Sequence, residues 1–259
     1  MKKIAIIGEG NMGSAIAASL PTDRYDITCT AATDSTLERL RESLPGVTLT
    51  KSNALAVRDA DIVVIAVKPF VWPDVYPELK ENIKQGATIL SVIAALTVET
   101  LSRQLDAVEK KLSILRVIPN TAIRYGKSAT FISAAPDVPE EIKEETVEIF
   151  NRSGKAFLIP EKDMAACTAL ASCGIAYFLR FIRAAAEGSV ELGLRAGFAT
   201  EVAALTAEGA AALLKDGSHP EVEIDKVTTP GGITIRGLNT LEEKGFSAAV
   251  IAALKASAE

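Results

Sequence analysis

The first thirteen residues restrict this chain more than any others. Lys3-Ile4-Ala5-Ile6-Ile7 is a short continuous apolar run, and Gly8-Glu9-Gly10-Asn11-Met12-Gly13 follows at once in the pattern G-x-G-x-x-G. Residues 14–20 then supply alanines and an apolar face. An apolar run without alternation suits a parallel strand buried on both faces. Strand, glycine turn and helix in this order form a dinucleotide-binding unit. Its first glycine permits the turn, the second lets a pyrophosphate approach the backbone, and the third lets helix pack on strand. A glycine-rich packing turn without a ligand does not need the whole unit. Gly8 and Gly10 are therefore expected at a dinucleotide cofactor.

Tyr25-Asp26-Ile27-Thr28-Cys29-Thr30 reads as a second strand and residues 37–44 as a charged amphipathic helix. The residue that recognises the adenosine ribose belongs between them: an acid there favours NAD, and a basic or hydroxyl-rich loop suits the 2′-phosphate of NADP. Asp34 lies near that place, but Thr33-Asp34-Ser35-Thr36 also reads as an N-cap cluster, the preferred reading. Thr33 is the candidate cofactor contact of this loop. No arginine occupies it, so the sequence leaves NADPH and NADH both open.

Asp61-Ile62-Val63-Val64-Ile65-Ala66-Val67 is another buried strand, ending in Lys68-Pro69 where ligand-binding loops of parallel sheets gather. Further strands are expected at 88–92, 113–117, 129–133 and 156–159, and helices near 98–105 and 139–151. Asn53 reads either as a turn residue or as a ribose or phosphate contact, and Pro119-Asn120-Thr121 is explained by a turn alone. The fold class is α/β: a Rossmann-type doubly wound sheet over residues 1–159, followed by an all-α domain over 160–259. In that second part the run 164–193 is too long for one ordinary helix, with Gly174 as its expected weak point, and 201–214 and 248–256 add helices. Helices apolar on more than one face need neighbours, so association of copies, a homodimer or a higher homo-oligomer, is expected through this half.

Near the carboxyl end, Val227-Thr228-Thr229-Pro230-Gly231-Gly232-Ile233-Thr234-Ile235-Arg236-Gly237-Leu238 places a Pro-Gly-Gly turn at a helix start beside hydroxyl groups. Free first-turn amides and the positive end of the helix dipole attract a carboxylate or phosphate. The plain alternative is a helix start capped by Thr229 or Thr234.

Composition removes other classes. A net charge of -5 with both signs interspersed leaves no basic footprint for nucleic acid or an anionic membrane surface. The apolar run after Met1-Lys2-Lys3 stops too early for a secretory signal, and no other stretch reads as long and apolar enough to span a bilayer. Cys29, Cys167 and Cys173 show neither metal-ligand spacing nor an even count for disulfides, so a reducing cytoplasm is expected. His219, the single histidine, precedes Pro220 in a loop-like stretch and reads as a surface or loop-packing residue. Neither a zinc site nor a histidine-based triad is easily built.

With the amino-terminal dinucleotide motif, Ala66-Val67-Lys68-Pro69, Pro119-Asn120-Thr121 and Thr229-Pro230-Gly231-Gly232-Ile233-Thr234 in this order, nearly the whole chain resembles the pyrroline-5-carboxylate reductases. The resemblance implies NAD(P)H-dependent reduction of 1-pyrroline-5-carboxylate to L-proline, with NADPH slightly favoured. It also implies that Thr234 contacts the imine nitrogen, that Thr229, Gly231 and Gly232 hold the substrate carboxylate, and that Val227 lines the pocket. Gly8, Gly10, Asn11, Met12, Asn53, Ala66, Lys68, Pro69 and Ala94 would contact the cofactor. The sequence departs from the family where Ile175 replaces a proline, Lys226 an asparagine, Ala95 a glycine and Ala122 a proline. Ile175 is expected to straighten the helix and Lys226 to add positive charge near the pocket. These departures motivate one alternative, a reductase of another small imino or oxo acid; a second, a non-catalytic NAD(P)-binding regulator, is left open because fold alone does not fix function.

Overall fold

The computed structural model describes residues 1–94 and 96–258, so the Ala95 departure lies outside the described residues. The chain divides into two compact units, Met1–Ser172 and Cys173–Glu259.

In the first unit the apolar runs become one eight-stranded sheet: β1 (Lys2–Ile7), β2 (Tyr25–Thr30), β3 (Thr48–Thr50), β4 (Ile62–Ile65), β5 (Thr88–Ser91), β6 (Ser113–Ile118), β7 (Ser128–Ala134) and β8 (Gly154–Leu158). The order is β3-β2-β1-β4-β5-β6-β7-β8. From β3 to β6 all pairings are parallel. β7 runs antiparallel to β6, and β8 pairs parallel with β7. The sheet is built outward one way from β1 to β3 and the other way from β4 onward. The switch point therefore lies between β1 and β4, and loops at the carboxyl ends of β1 to β5 share one edge. Ile6, Ile65, Ile89 and Leu90 are fully buried, as continuous apolar strands between two helical layers must be.

Among the elements that the sequence does not announce are β3 and a helix after β4. Thr48-Leu49-Thr50 carries no apolar run to mark a strand, and its pairing with β2 fixes it as β3. The helix Trp72–Asn82, with Pro73 in its first turn and Pro77 inside, was not expected at all. Trp72 anchors it, buried, with Nε1 donating to Gln104 Oε1 at 2.8 Å.

The strand pattern ends at Leu158, next to the expected boundary at 159/160, while packing divides the chain at 172/173. The intervening turns belong with the first unit because Asn120 Nδ2 donates to Ala171 O (3.3 Å) and Ser172 Oγ to Pro119 O (3.3 Å). Ala169–Cys173 is a π-helical turn. The wider ring of a π turn displaces backbone carbonyls from the regular ladder, and Asn120 meets one of them. Helical structure then resumes as Gly174–Glu191, so Gly174 is not a break.

One expectation is corrected here. Glu161–Glu191 is a helix of 31 residues, long and apolar enough by length and composition to cross a membrane. The π turn keeps the run continuous where a break at Gly174 was expected, and the apolar stretches on either side add together.

The second unit is helical: Gly174–Glu191, Ala196–Ala212, Pro220–Val227, Ile233–Glu243 and Phe246–Ala258. Tyr177 OH donates to Ala253 O at 3.2 Å, and Phe181 meets Phe246 edge-on with ring centroids 6.2 Å apart, joining the first and last of these helices. His219 caps Pro220–Val227, its Nδ1 accepting from the Glu221 amide at 3.2 Å, which makes its role structural.

Candidate active site

At the end of β1 the chain turns at Gly8 with φ +96°, where a Cβ would lie 2.7 Å from Val67 Cγ1. A Cβ on Gly13 would stand 2.3 Å from Gly8 O, so the helix Asn11–Ser19 packs against the turn only with glycine there. Gly10 is different. Its φ of -88° is open to any residue, and a Cβ on it would meet no protein atom within 4 Å. Nothing in the fold asks for glycine at 10, and the backbone there is open to a group approaching from outside. Gly10 is also the N-cap of Asn11–Ser19, and no side chain caps that helix, so its first amides face the opening. The cradle fits a pyrophosphate.

The remaining candidates follow neighbouring strands onto the same edge. Ala66 continues β4, its amide bonded to Ile7 O at 2.8 Å, and Lys68 and Pro69 follow it, both exposed. Ala94 follows β5 and Asn53 follows β3. Asn53 opens the helix Asn53–Val57, and its Nδ2 donates to Glu78 Oε2 at 3.3 Å. Thr33 caps the helix Asp34–Ser43, its hydroxyl accepting from the Thr36 amide at 3.3 Å. Asp34 is not the cap; it pairs with Lys51 Nζ at 2.6 Å.

Two residues of this region escaped the sequence reading. Arg116 leaves β6 with a largely buried side chain, bonded to Glu161 Oε1 at 2.8 Å and to the carbonyl of Ala94. It thereby ties down the loop that follows β5. Glu9, the first variable position of the glycine motif, is buried at 6% exposure, its carboxylate facing the Cys29 thiol and otherwise without a hydrogen-bond partner. Burial pushes its pKa up to about 7, opposed in part by the neighbouring Cys29 thiol. Burial and the adjacent Glu9 carboxylate together push that thiol up as well.

In the second unit Gly231 takes φ +70°, and the Gly232 amide bonds back to Thr229 O at 2.9 Å, closing the turn before Ile233–Glu243. A Cβ on Gly232 would strike Thr229 Oγ1 at 2.6 Å. Gly232 is the N-cap, and neither Thr229 nor Thr234 caps the helix, contrary to the plain alternative. The turn presents uncapped amides with Thr229, Gly231 and Thr234 exposed, and Val227 ends the preceding helix, also exposed.

The departures acquire physical content. Lys226 pairs with Glu223 Oε1 at 2.7 Å, which offsets the expected positive charge and holds the Glu223 carboxyl below its usual range, together with Ser218. Ala122 supplies the amide that Asn120 Oδ1 accepts at 3.0 Å, a donor that proline lacks.

Residues 161–259 match the family model described as pyrroline-5-carboxylate reductase dimerisation, and residues 3–95 one described as NADP oxidoreductase, coenzyme F420-dependent. Pyrroline-5-carboxylate reductase 2 of Dictyostelium discoideum is 38% identical over 274 residues, covering 100% of this chain and 91% of that protein. The chain belongs to the pyrroline-5-carboxylate reductase family. It is accordingly an NAD(P)H-dependent oxidoreductase. The Methanosarcina acetivorans family member is 34% identical over 264 residues, covering 100% of this chain and 96% of that one. A pyrroline carboxylate reductase structure from Plasmodium falciparum with NADP bound aligns with TM-score 0.85 at 26% identity, over 99% of this chain and 95% of that one. The Streptococcus pyogenes 1-pyrroline-5-carboxylate reductase aligns with TM-score 0.86 at 28% identity, over 99% and 96%. The family's dimerisation model supports a homo-oligomer.

Proposed function

We propose that this chain reduces 1-pyrroline-5-carboxylate to L-proline with NAD(P)H, with residues 1–159 as the cofactor-binding domain and 160–259 as the substrate-binding and dimerisation domain. When bound, the nicotinamide would supply the hydride that the imine carbon takes up, with a proton from water completing the amine at nitrogen. The uncapped start of Ile233–Glu243 carries the reading: a helix N-terminus with free amides and no acidic side chain in its first turn suits a carboxylate.

In this reading Thr229, Gly231 and Gly232 hold the carboxylate and Val227 covers the apolar ring. Thr234 donates its hydroxyl to the developing amine nitrogen and orients the C=N bond. A threonine hydroxyl is far too weak an acid to give up its proton outright, so it positions rather than protonates. Gly8, Gly10, Asn11 and Met12 cradle the pyrophosphate, while Thr33, Asn53, Ala66, Lys68, Pro69 and Ala94 surround the remaining cofactor. The protein contributes chiefly by holding two reactants in reactive geometry.

Two copies of the helical domain form the homodimer, and the apolar Glu161–Glu191 helix serves that contact rather than a bilayer. The Arg183–Glu187 pair on it, at 2.8 Å, and the three free thiols support a water-exposed, reducing, cytoplasmic setting.

The test follows nicotinamide oxidation with 1-pyrroline-5-carboxylate in wild type, Thr234→Ser and Thr234→Ala. Loss of one hydrogen bond to a charged group costs roughly 1.5–3 kcal/mol, so Thr234→Ala should lose about tenfold to a hundredfold in kcat/KM and Thr234→Ser should recover most of it. Equal rates in all three variants would remove Thr234 from the site.

A further inference from the structure

The edge of the cofactor crevice beyond β2 holds an arrangement that bears on which nicotinamide cofactor is read. β2 ends at Thr30, and its hydroxyl already accepts from the Gly8 amide at 3.3 Å. Ala31 and Ala32 follow, so the strand end offers no carboxylate for the ribose hydroxyls of NADH. The first acid after it is Asp34, and that acid is held by a cation. β3 pairs beside β2, with Ala31 N bonded to Thr50 O at 3.2 Å, which brings Lys51 next to the end of β2. Lys51 Nζ sits 2.6 Å from Asp34 Oδ2, both side chains reaching solvent. The Thr33 hydroxyl is bonded to those of Ser35 and Thr36 in the same turn.

We propose that Lys51 reads the 2′-phosphate of NADPH, and that Asp34 is the competing anion from which the phosphate takes it. The inference rests on the cofactor-binding reading of the first unit. The chemistry follows from charge. A dianionic phosphate outbids one exposed carboxylate for an ammonium, and exchanging one anion for another leaves Lys51 paired in both states. With NADH the pair stays closed and contributes nothing to affinity. Asp34 therefore sets how strongly Lys51 favours NADPH, by holding it in the free protein.

The test uses 2′,5′-ADP and 5′-ADP, which differ only in the phosphate at issue, bound to the full chain and measured by titration calorimetry. Lys51→Met should weaken 2′,5′-ADP by at least about tenfold while 5′-ADP stays within about twofold, and the kcat/KM ratio of NADPH to NADH should fall in parallel. Asp34→Asn should tighten 2′,5′-ADP by about threefold, since the phosphate no longer competes. Unchanged 2′,5′-ADP affinity in Lys51→Met, equal weakening of both ligands, or weaker 2′,5′-ADP binding in Asp34→Asn would overturn the assignment. A wild type that binds neither nucleotide would instead overturn the cofactor reading beneath it.

Discussion

The two units treat their apolar residues in opposite ways. In the first, strands such as β4 and β5 lie wholly inside, and the sheet between its helices forms a continuous core. In the second, the only hydrophobic residues among those described that are fully buried are Ala186 and Ala199. Phe178 is 66% exposed and Leu205 68%, with Phe198 and Ile251 also open. A parallel sheet covered on both faces satisfies itself within one chain, whereas a layer of alanine-rich helices leaves apolar faces that need a neighbour. An exposed apolar surface of this kind marks an interface. The first unit is thus complete as a fold, and the second is completed by assembly, in keeping with its match to a dimerisation model.

The contrast breaks most visibly if charge is placed on those helices. Phe198→Asp combined with Leu205→Asp should weaken self-association by at least about a thousandfold, read as single chains in sedimentation. Assembly that survives both changes would show that these faces are not the interface. In the first unit, Leu90→Ala should cost about 2–5 kcal/mol of unfolding free energy in denaturant titration, because the residue is fully enclosed. Leu205→Ala, followed on dissociated single chains, should leave that transition unchanged, and equal losses would erase the distinction.

The buried Glu9 sharpens the account of the first unit. Its carboxyl holds its proton to about pH 7 when folded, against about 4.5 when unfolded. Between those values the folded state binds more protons, so stability falls as pH rises from about 4.5 to about 7 and levels off above. The total is roughly 3 kcal/mol at most. Glu9→Gln should flatten this slope in urea titrations at pH 5 and pH 7; an unaltered slope would assign it to other groups. The smallest effect concerns Gly10. Gly10→Val should leave thermal unfolding unchanged, since no protein atom is near, yet weaken nucleotide binding by about tenfold or more. A destabilised fold with intact binding would reverse the role given to that glycine.

The sequence made the sheet legible where strands are apolar and continuous. β1, β4, β5 and β6 stand out for that reason, and with them the glycine turn. β3 did not, because a three-residue edge strand with two threonines carries no pattern of its own. The helix Trp72–Asn82 was hidden by its two prolines, and Pro220–Val227 by the histidine and proline that in fact begin it. Of the candidate site residues, the turn before Ile233 in the second unit and the loops after β1 and β4 in the first were legible as motifs. The Lys51–Asp34 pair was not, since 17 positions separate the two residues and only the β2–β3 register joins them. Glu9 was equally hidden, because its significance lies in burial against Cys29 and not in its place within the motif.

The most direct measurement is the stoichiometry of the reaction in a single vessel. Purified wild-type chain is given 1-pyrroline-5-carboxylate and limiting NADPH or NADH, and L-proline is counted against cofactor oxidised. One L-proline formed for each cofactor consumed, with no oxidation when the imine is omitted, is the predicted result. Cofactor bound but never oxidised in the presence of the imine, or oxidised without proline appearing, would contradict it.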